Sequence, residues 1–139
     1  AGMKLSEIEQ NATPLTLKKL PEKIRVVGSR SHLSPETEDF IAKLEKKVAV
    51  KGFESYGSSL KLCMIAEGAA EIYPRLGPTM EWDTAASHAV AIYAGSRLME
   101  IKTAGSLVYN KENLLNPYFI VYHPKLEPVV LSILKLTSK

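Results

Sequence analysis

A single cysteine, no long hydrophobic run and no excess of one charge sign are the first features of this 139-residue chain. One cysteine, Cys63, cannot close an internal disulfide, which suits a reducing cytoplasm. Its simplest role is that of a small buried hydrophobe in an apolar helical stretch. The apolar runs are far too short to span a membrane and no signal-peptide pattern is present, so integral membrane contact is excluded. Loose attachment to the cytoplasmic face of a membrane stays open. A formal charge of +3, with no Lys/Arg stripe interleaved with exposed aromatics, argues against nucleic acid and favours a small anionic ligand. No Cys/His spacing suggests zinc, and the Gly-Ser pairs lack the spacing of a P-loop or dinucleotide fingerprint. Ala1-Gly2-Met3 has no methionine in first place, which leaves open a cloning remnant or a cut into a longer protein.

What is present is the composition of a soluble globular domain. Apolar residues make up 45% and charged residues 24%, enough of each for one core and a solvated surface. Residues 1–23 hold two prolines and several lysines without a clear period, and read as an extended lead-in segment. Residues 24–139 read as one α/β domain. Lys23–Gly28 is a β-branched run ending in glycine, hence a strand. Ser34-Pro35-Glu36 opens a helix with cap, proline and acid in order, and Phe40, Ile41 and Leu44 form its apolar stripe. Residues 53–56 suggest a strand, followed by a helix with Leu60, Cys63 and Met64 on one face. A short strand over 70–73 ends at Pro74, Gly77 and Pro78. From Trp82 to Ala94 the chain is nearly all small or apolar, which predicts a buried helix. Strands over 97–101 and 118–122 flank an Asn-rich loop, and 126–134 has the period of a final amphipathic helix. The alternation predicts a layered α-β-α domain.

In such folds ligands sit beyond the carboxyl ends of the strands. Four loops there carry polar residues. Gly28-Ser29-Arg30-Ser31-His32 offers donors suited to phosphate or ribose oxygens, or is simply a solvated turn. In Gly57-Ser58-Ser59-Leu60-Lys61, Ser58 would cap a helix and Lys61 would fall at the positive end of its dipole. That position is unfavourable for a cation unless an anion is near. Arg75 could grip a phosphate bidentately or stand solvated in a turn. Asp83 is either a helix cap, with Trp82 as a hydrophobic staple, or one carboxylate ligand of a hard cation such as Mg²⁺. Glu36, Glu38 and Asp39 read as a solvated helix face. His88 reads as a hydrogen-bonded core residue and His123, before proline, as a helix-entry residue.

Gly57-Ser58-Ser59-Leu60-Lys61, the stretch Ala66–Thr79 and Trp82-Asp83-Thr84-Ala85-Ala86 resemble, in order and spacing, the inositol monophosphatase superfamily. Val27–Leu33, Tyr73-Pro74-Arg75 and Tyr109–Pro117 bring the resemblance closer to its CysQ-type 3'(2'),5'-bisphosphate nucleotidases, over roughly residues 3–122. The resemblance implies the C-terminal, substrate-binding domain of that fold, a layered α-β-α unit with a mixed sheet. It also implies Mg²⁺-dependent removal of the 3'-phosphate of adenosine 3',5'-bisphosphate, or of its sulfated analogue. A metal-activated water would attack phosphorus in line. By position, Asp83 would be the one metal ligand of this half and a substrate contact. His32, Ser58, Lys61 and Arg75 would hold the nucleotide and its phosphates. Inositol monophosphatases tend to carry an acid where Arg75 stands; an arginine cannot accept hydrogen bonds and suits a second phosphate.

The family's Asp-Pro-x-Asp-Gly-Thr metal signature is absent, as is the glutamate-rich element before it. Ser87 and Ser96 replace usual glycines, a matter of packing more than chemistry. The expectation is therefore a partner in the enzyme's own N-terminal domain, with no turnover by residues 1–139 alone. An inositol or sugar monophosphatase, and a non-catalytic anion-binding domain that has discarded its metal half, are the alternatives.

Overall fold

A computed structural model describes residues 2, 4–28, 33–57 and 59–135. Its elements are α1 (Leu5–Asn11), β1 (Ile24–Gly28), α2 (Pro35–Glu45), β2 (Val50–Ser55), α3 (Leu60–Ala66), β3 (Ile72–Arg75), α4 (Glu81–Tyr93), β4 (Arg97–Glu100), β5 (Phe119–Tyr122) and α5 (Glu127–Leu134). A 3-10 turn, Pro124–Leu126, leads into α5.

The five strands form one mixed sheet in the order β2-β1-β3-β5-β4. β1 runs parallel to β2 and β3, while β5 is antiparallel to both β3 and β4. Period-2 alternation then divides the core. Val26, Ile72, Ile120 and Tyr122 pack with Phe40 and Leu44 of α2 and with Val130 and Leu131 of α5. Val27, Tyr73, Phe119 and Val121 face the other way and pack with Leu62 and Ile65 of α3 and Ala91 of α4. Two helices thus cover each face, the α-β-α layering expected.

The local signals explain most of these boundaries. Ser34 caps α2, its Oγ accepting from Thr37 N at 3.2 Å, and Pro35 takes the first helical position. The same Oγ donates to Leu76 O at 2.7 Å, which fastens the start of α2 to the loop after β3. Gly28 closes β1 against the Phe53 ring; a Cβ there would lie 2.5 Å from Cζ. His123 accepts from Lys125 N through Nδ1, so its Nε2–H donates to Lys18 O at 3.0 Å. That bond holds the extended chain before β1 across the sheet's far end.

Four expectations change. Within the lead-in segment, Leu5–Asn11 is helical, started by Glu7 accepting from Lys4 N at 2.9 Å; its lack of a buried face hid it from a periodicity test. The strand expected over 70–73 lies at Ile72–Arg75, so Arg75 belongs to the sheet, opposite Phe119. In α3 the buried residues are Lys61, Leu62, Ile65 and Ala66, while Leu60 is 58% exposed and Cys63 and Met64 are half-buried. Finally, α4 buries only Glu81, Thr84, Ser87, His88 and Ala91. Its other face, from Trp82 through Ala86 and Val90 to Tyr93, is open; the helix packs on α3 and β4 and bonds the 107–116 loop through Glu81, Thr84 and His88.

Candidate active site

The carboxyl ends of β1, β2 and β3 share one edge of the sheet, and α2, α3 and α4 begin there. Three of the five residues singled out from the sequence meet at this edge: Lys61, Arg75 and Asp83. His32 and Ser58 lie outside the described residues. Ser59 is the N-cap of α3 and makes no side-chain cap hydrogen bond.

Lys61 is not the solvated lysine of a first helical turn. It is 5% exposed, its Nζ donating to Tyr56 O at 3.0 Å and lying 5.6 Å from the centroid of the Tyr73 ring. An ammonium carries three donors, so this position leaves capacity for an anion. Burial, and then the positive Arg75 nearby, lower the Lys61 pKa. Tyr73 stands beneath both cations on the same strand face as Arg75. Burial pushes its phenol up to about 12, with the Arg75 guanidinium pulling down and the Asp83 carboxylate pushing up.

Arg75 donates from Nη2 to Pro78 O at 2.8 Å, which turns the guanidinium back over the loop. Its Nε is buried without a hydrogen-bond partner among the described residues. An orphaned buried donor costs about 1–3 kcal/mol, so the position is suited to an acceptor that arrives with a ligand.

Asp83 is the third residue of α4, not its N-cap, which is Met80. The carboxylate acts in the capping box, accepting from Met80 N at 2.8 Å through Oδ2. Oδ1 has no hydrogen bond among the described residues, and the side chain is exposed. Trp82 does not staple the helix start; it is 67% exposed. Among the described residues no three His, Cys, Asp or Glu side chains gather as a metal site. By its chemistry the exposed Asp83 carboxylate fits a single ligand of a Mg²⁺ ion, which takes one or two protein carboxylates with phosphate oxygens and waters.

The sequence reading missed the scaffold around Asp83. Glu81, first in α4, is buried and accepts from Asn110 N at 2.6 Å, from Lys111 N at 3.2 Å and from Lys111 Nζ. Lys111 holds its carboxyl below the usual range. Asn116 Nδ2 donates to Met80 O at 2.8 Å and Thr84 Oγ1 at 3.0 Å. His88 Nδ1 pairs with Tyr109 Oη at 2.8 Å, the hydrogen-bonded core role expected of it. The Asn-rich composition of 110–116 was the available signal. A cleft of about 660 Å³ lined by His88, Ser96, Arg97, Tyr122 and Glu127 lies toward the C-terminal end of α4, and Lys61, Arg75 and Asp83 do not line it.

A five-stranded mixed sheet under paired helices, with cations and a carboxylate at the edge where three helices begin, defines a layered α/β domain. The sequence profile of the inositol monophosphatase family matches residues 2–135, and the chain belongs to that family. It is 43% identical over 96 residues to the 3'(2'),5'-bisphosphate nucleotidase CysQ of Salmonella typhimurium, covering 69% of this chain and 37% of that protein. Against the Escherichia coli K12 CysQ the identity is 44% over the same shares. The crystal structure of CysQ from Bacteroides thetaiotaomicron superposes with a TM-score of 0.80 at 47% identity, over 88% of this chain and 45% of that one. An inositol monophosphatase from Zymomonas mobilis, at 17% identity and a TM-score of 0.70, shares the fold. The chain thus spans less than half the length of these nucleotidases.

Proposed function

We propose that this chain is the substrate-side portion of a Mg²⁺-dependent phosphatase acting on adenosine 3',5'-bisphosphate or its sulfated analogue. Water cleaves the 3'-phosphate ester, releasing AMP (or its sulfated counterpart) and inorganic phosphate. The observation that carries this reading is the buried Arg75 Nε–H, without a partner among the described residues, at the edge of the sheet where Lys61 is buried in the start of α3 and Asp83 stands exposed in the first turn of α4.

Each group has a distinct task. Lys61, pinned by Tyr56 O and the Tyr73 ring, presents its remaining donors to one phosphate. Arg75 offers its unpartnered Nε–H and its positive charge to a second, which a monophosphate substrate lacks. Asp83 holds one position on a divalent cation while its other oxygen caps α4. A bound Mg²⁺ supplies charge neutralisation on the phosphoryl oxygens and lowers the pKa of a coordinated water. His32 and Ser58 are assigned to the same nucleotide by their position in the family's motifs.

The remaining metal ligands belong to a portion of the enzyme beyond this sequence, which has no Asp-Pro-x-Asp-Gly-Thr element. The open face of α3 and α4, with Leu60, Trp82, Val90 and Tyr93 exposed, is the surface on which that portion packs. Residues 1–139 alone are accordingly inactive. A single free cysteine suits a reducing cytoplasm, and no described helix is long and apolar enough to cross a membrane.

The test is phosphate release by the full-length protein from adenosine 3',5'-bisphosphate and from inositol 1-phosphate, with and without Mg²⁺. Preferential, Mg²⁺-dependent release from the bisphosphate is expected. Equal or greater release from inositol 1-phosphate would move the assignment to a sugar monophosphatase. Binding of the bisphosphate without any hydrolysis would leave an anion-binding domain.

A further inference from the structure

The first turn of α4 is held from two sides by the loop over 107–116. On one side the Glu81 carboxylate receives the consecutive N–H groups of Asn110 and Lys111, together with the Lys111 ammonium. Asn110 sits at φ 62°, a left-handed conformation that asparagine tolerates, at the start of this N–H pair. On the other side Asn116 bonds Met80 O, Thr84 Oγ1 and, at 3.2 Å, Thr79 Oγ1, while its own N–H reaches Thr79 O at 2.8 Å. Glu81 N donates to Leu114 O at 2.9 Å between the two.

A carboxylate at a helix start is favoured by the dipole, but that preference is met equally well in solvent. Here the Glu81 side chain is 10% exposed and bound by the Lys111 ammonium and two backbone N–H groups, more than the dipole preference calls for. What the pairing does supply is a fixed position. Asp83, two residues on, is exposed and among the described residues its side chain bonds only to Met80 N within its own turn, so it goes where that turn goes. At a side-chain radius of about 6 Å, a rotation of roughly 20° moves a carboxylate by about 2 Å, as far as a whole Mg–O bond is long.

We infer that Glu81 is a positioning residue for Asp83: with Asn110, Lys111 and Asn116 it fixes the rotation of the α4 start, and hence where the Asp83 carboxylate stands. The function of Asp83 rests on the phosphatase reading; the fastening itself rests on geometry alone.

Glu81→Gln keeps the shape and removes the charge. In the full-length enzyme the Mg²⁺ concentration for half-maximal rate should rise about tenfold or more. KM for adenosine 3',5'-bisphosphate at saturating Mg²⁺ should stay within about twofold of the unaltered enzyme, a split that general loosening of the fold would not give. An unchanged Mg²⁺ requirement overturns the inference, as does a parallel loss in KM and Mg²⁺ requirement. If Glu81→Gln does not fold, Lys111→Met keeps both backbone N–H bonds to the carboxylate and must shift the Mg²⁺ requirement the same way; no shift overturns it. Amide hydrogen exchange in residues 1–139 keeps the two readings apart. Faster exchange at 110–111 and 81–84 in Glu81→Gln supports the fastening even if the unaltered full-length protein has no phosphatase activity, and unchanged exchange there overturns it.

Discussion

The Lys61 ammonium lies 5.6 Å from the centroid of the Tyr73 ring and donates a hydrogen bond to the Tyr56 backbone carbonyl. The cation is held by an aromatic face and a dipole, and no carboxylate neutralises it within salt-bridge distance among the described residues. This leaves its charge available to a substrate anion, while burial and Arg75 lower its pKa. Tyr73 is in turn braced edge-on by Phe119, ring centroids 6.1 Å apart at 86°. The site therefore depends on the core directly beneath it.

Lys61→Met should raise KM for adenosine 3',5'-bisphosphate about tenfold or more, the scale of one charge-assisted hydrogen bond. Steady-state kinetics on the full-length protein measures it. A KM unchanged in this variant means the ammonium does not meet the substrate.

Arg75→Gln should lower kcat/KM for the bisphosphate about 10- to 100-fold and leave any activity on a monophosphate nearly unchanged. The ratio of the two substrates is the decisive quantity, since a general loss of structure would lower both.

Asp83→Asn should reduce turnover by about 100-fold or more, equivalent to roughly 3 kcal/mol. The amide oxygen can still accept from Met80 N, so the cap is kept and the thermal midpoint should fall by only a few degrees at most. Turnover at the unaltered level would remove Asp83 from the metal site.

Phe119→Ala removes a ring at 0% exposure from beneath Tyr73 and should cost about 3–5 kcal/mol. Denaturant unfolding measures it. The same variant should weaken phosphate binding, since Lys61 rests on the ring that Phe119 supports.

His88 is buried, and desolvation lowers its pKa below the ordinary value of about 6.5. The unfolded chain therefore takes up the proton first, and stability falls as pH drops through that value toward the folded-state pKa. Unfolding midpoints at pH 7.5 and 5.0 should differ less in His88→Asn, which can still bond Tyr109 Oη, than in the unaltered protein.

Much of this protein was legible in its sequence because the signals are local. Ser34-Pro35, the β-branched run before Gly28 and the period of Val129–Leu134 act through neighbouring backbone, and each specified its element. Local signals left Arg75 and Asp83 each with two readings, and their roles came only from the family resemblance; Arg75 proved to lie within β3 and Asp83 to follow the cap, Met80, by three residues. Tertiary structure decided what those signals could not contain. It turned Lys61 inward, because Leu62, Ile65 and Ala66 claim the sheet face of α3 and the lysine stem follows them into the core. It left half of α4 open, because an apolar helix is buried only as far as there are surfaces to pack on it. It also joined Glu81 to Asn110 and Lys111, about 30 residues away, a pairing that depends on where the loop returns to the sheet. For Asp83, the sequence determined a carboxylate in the first turn of a helix. Only the folded loop over 107–116 decided that this turn is held still.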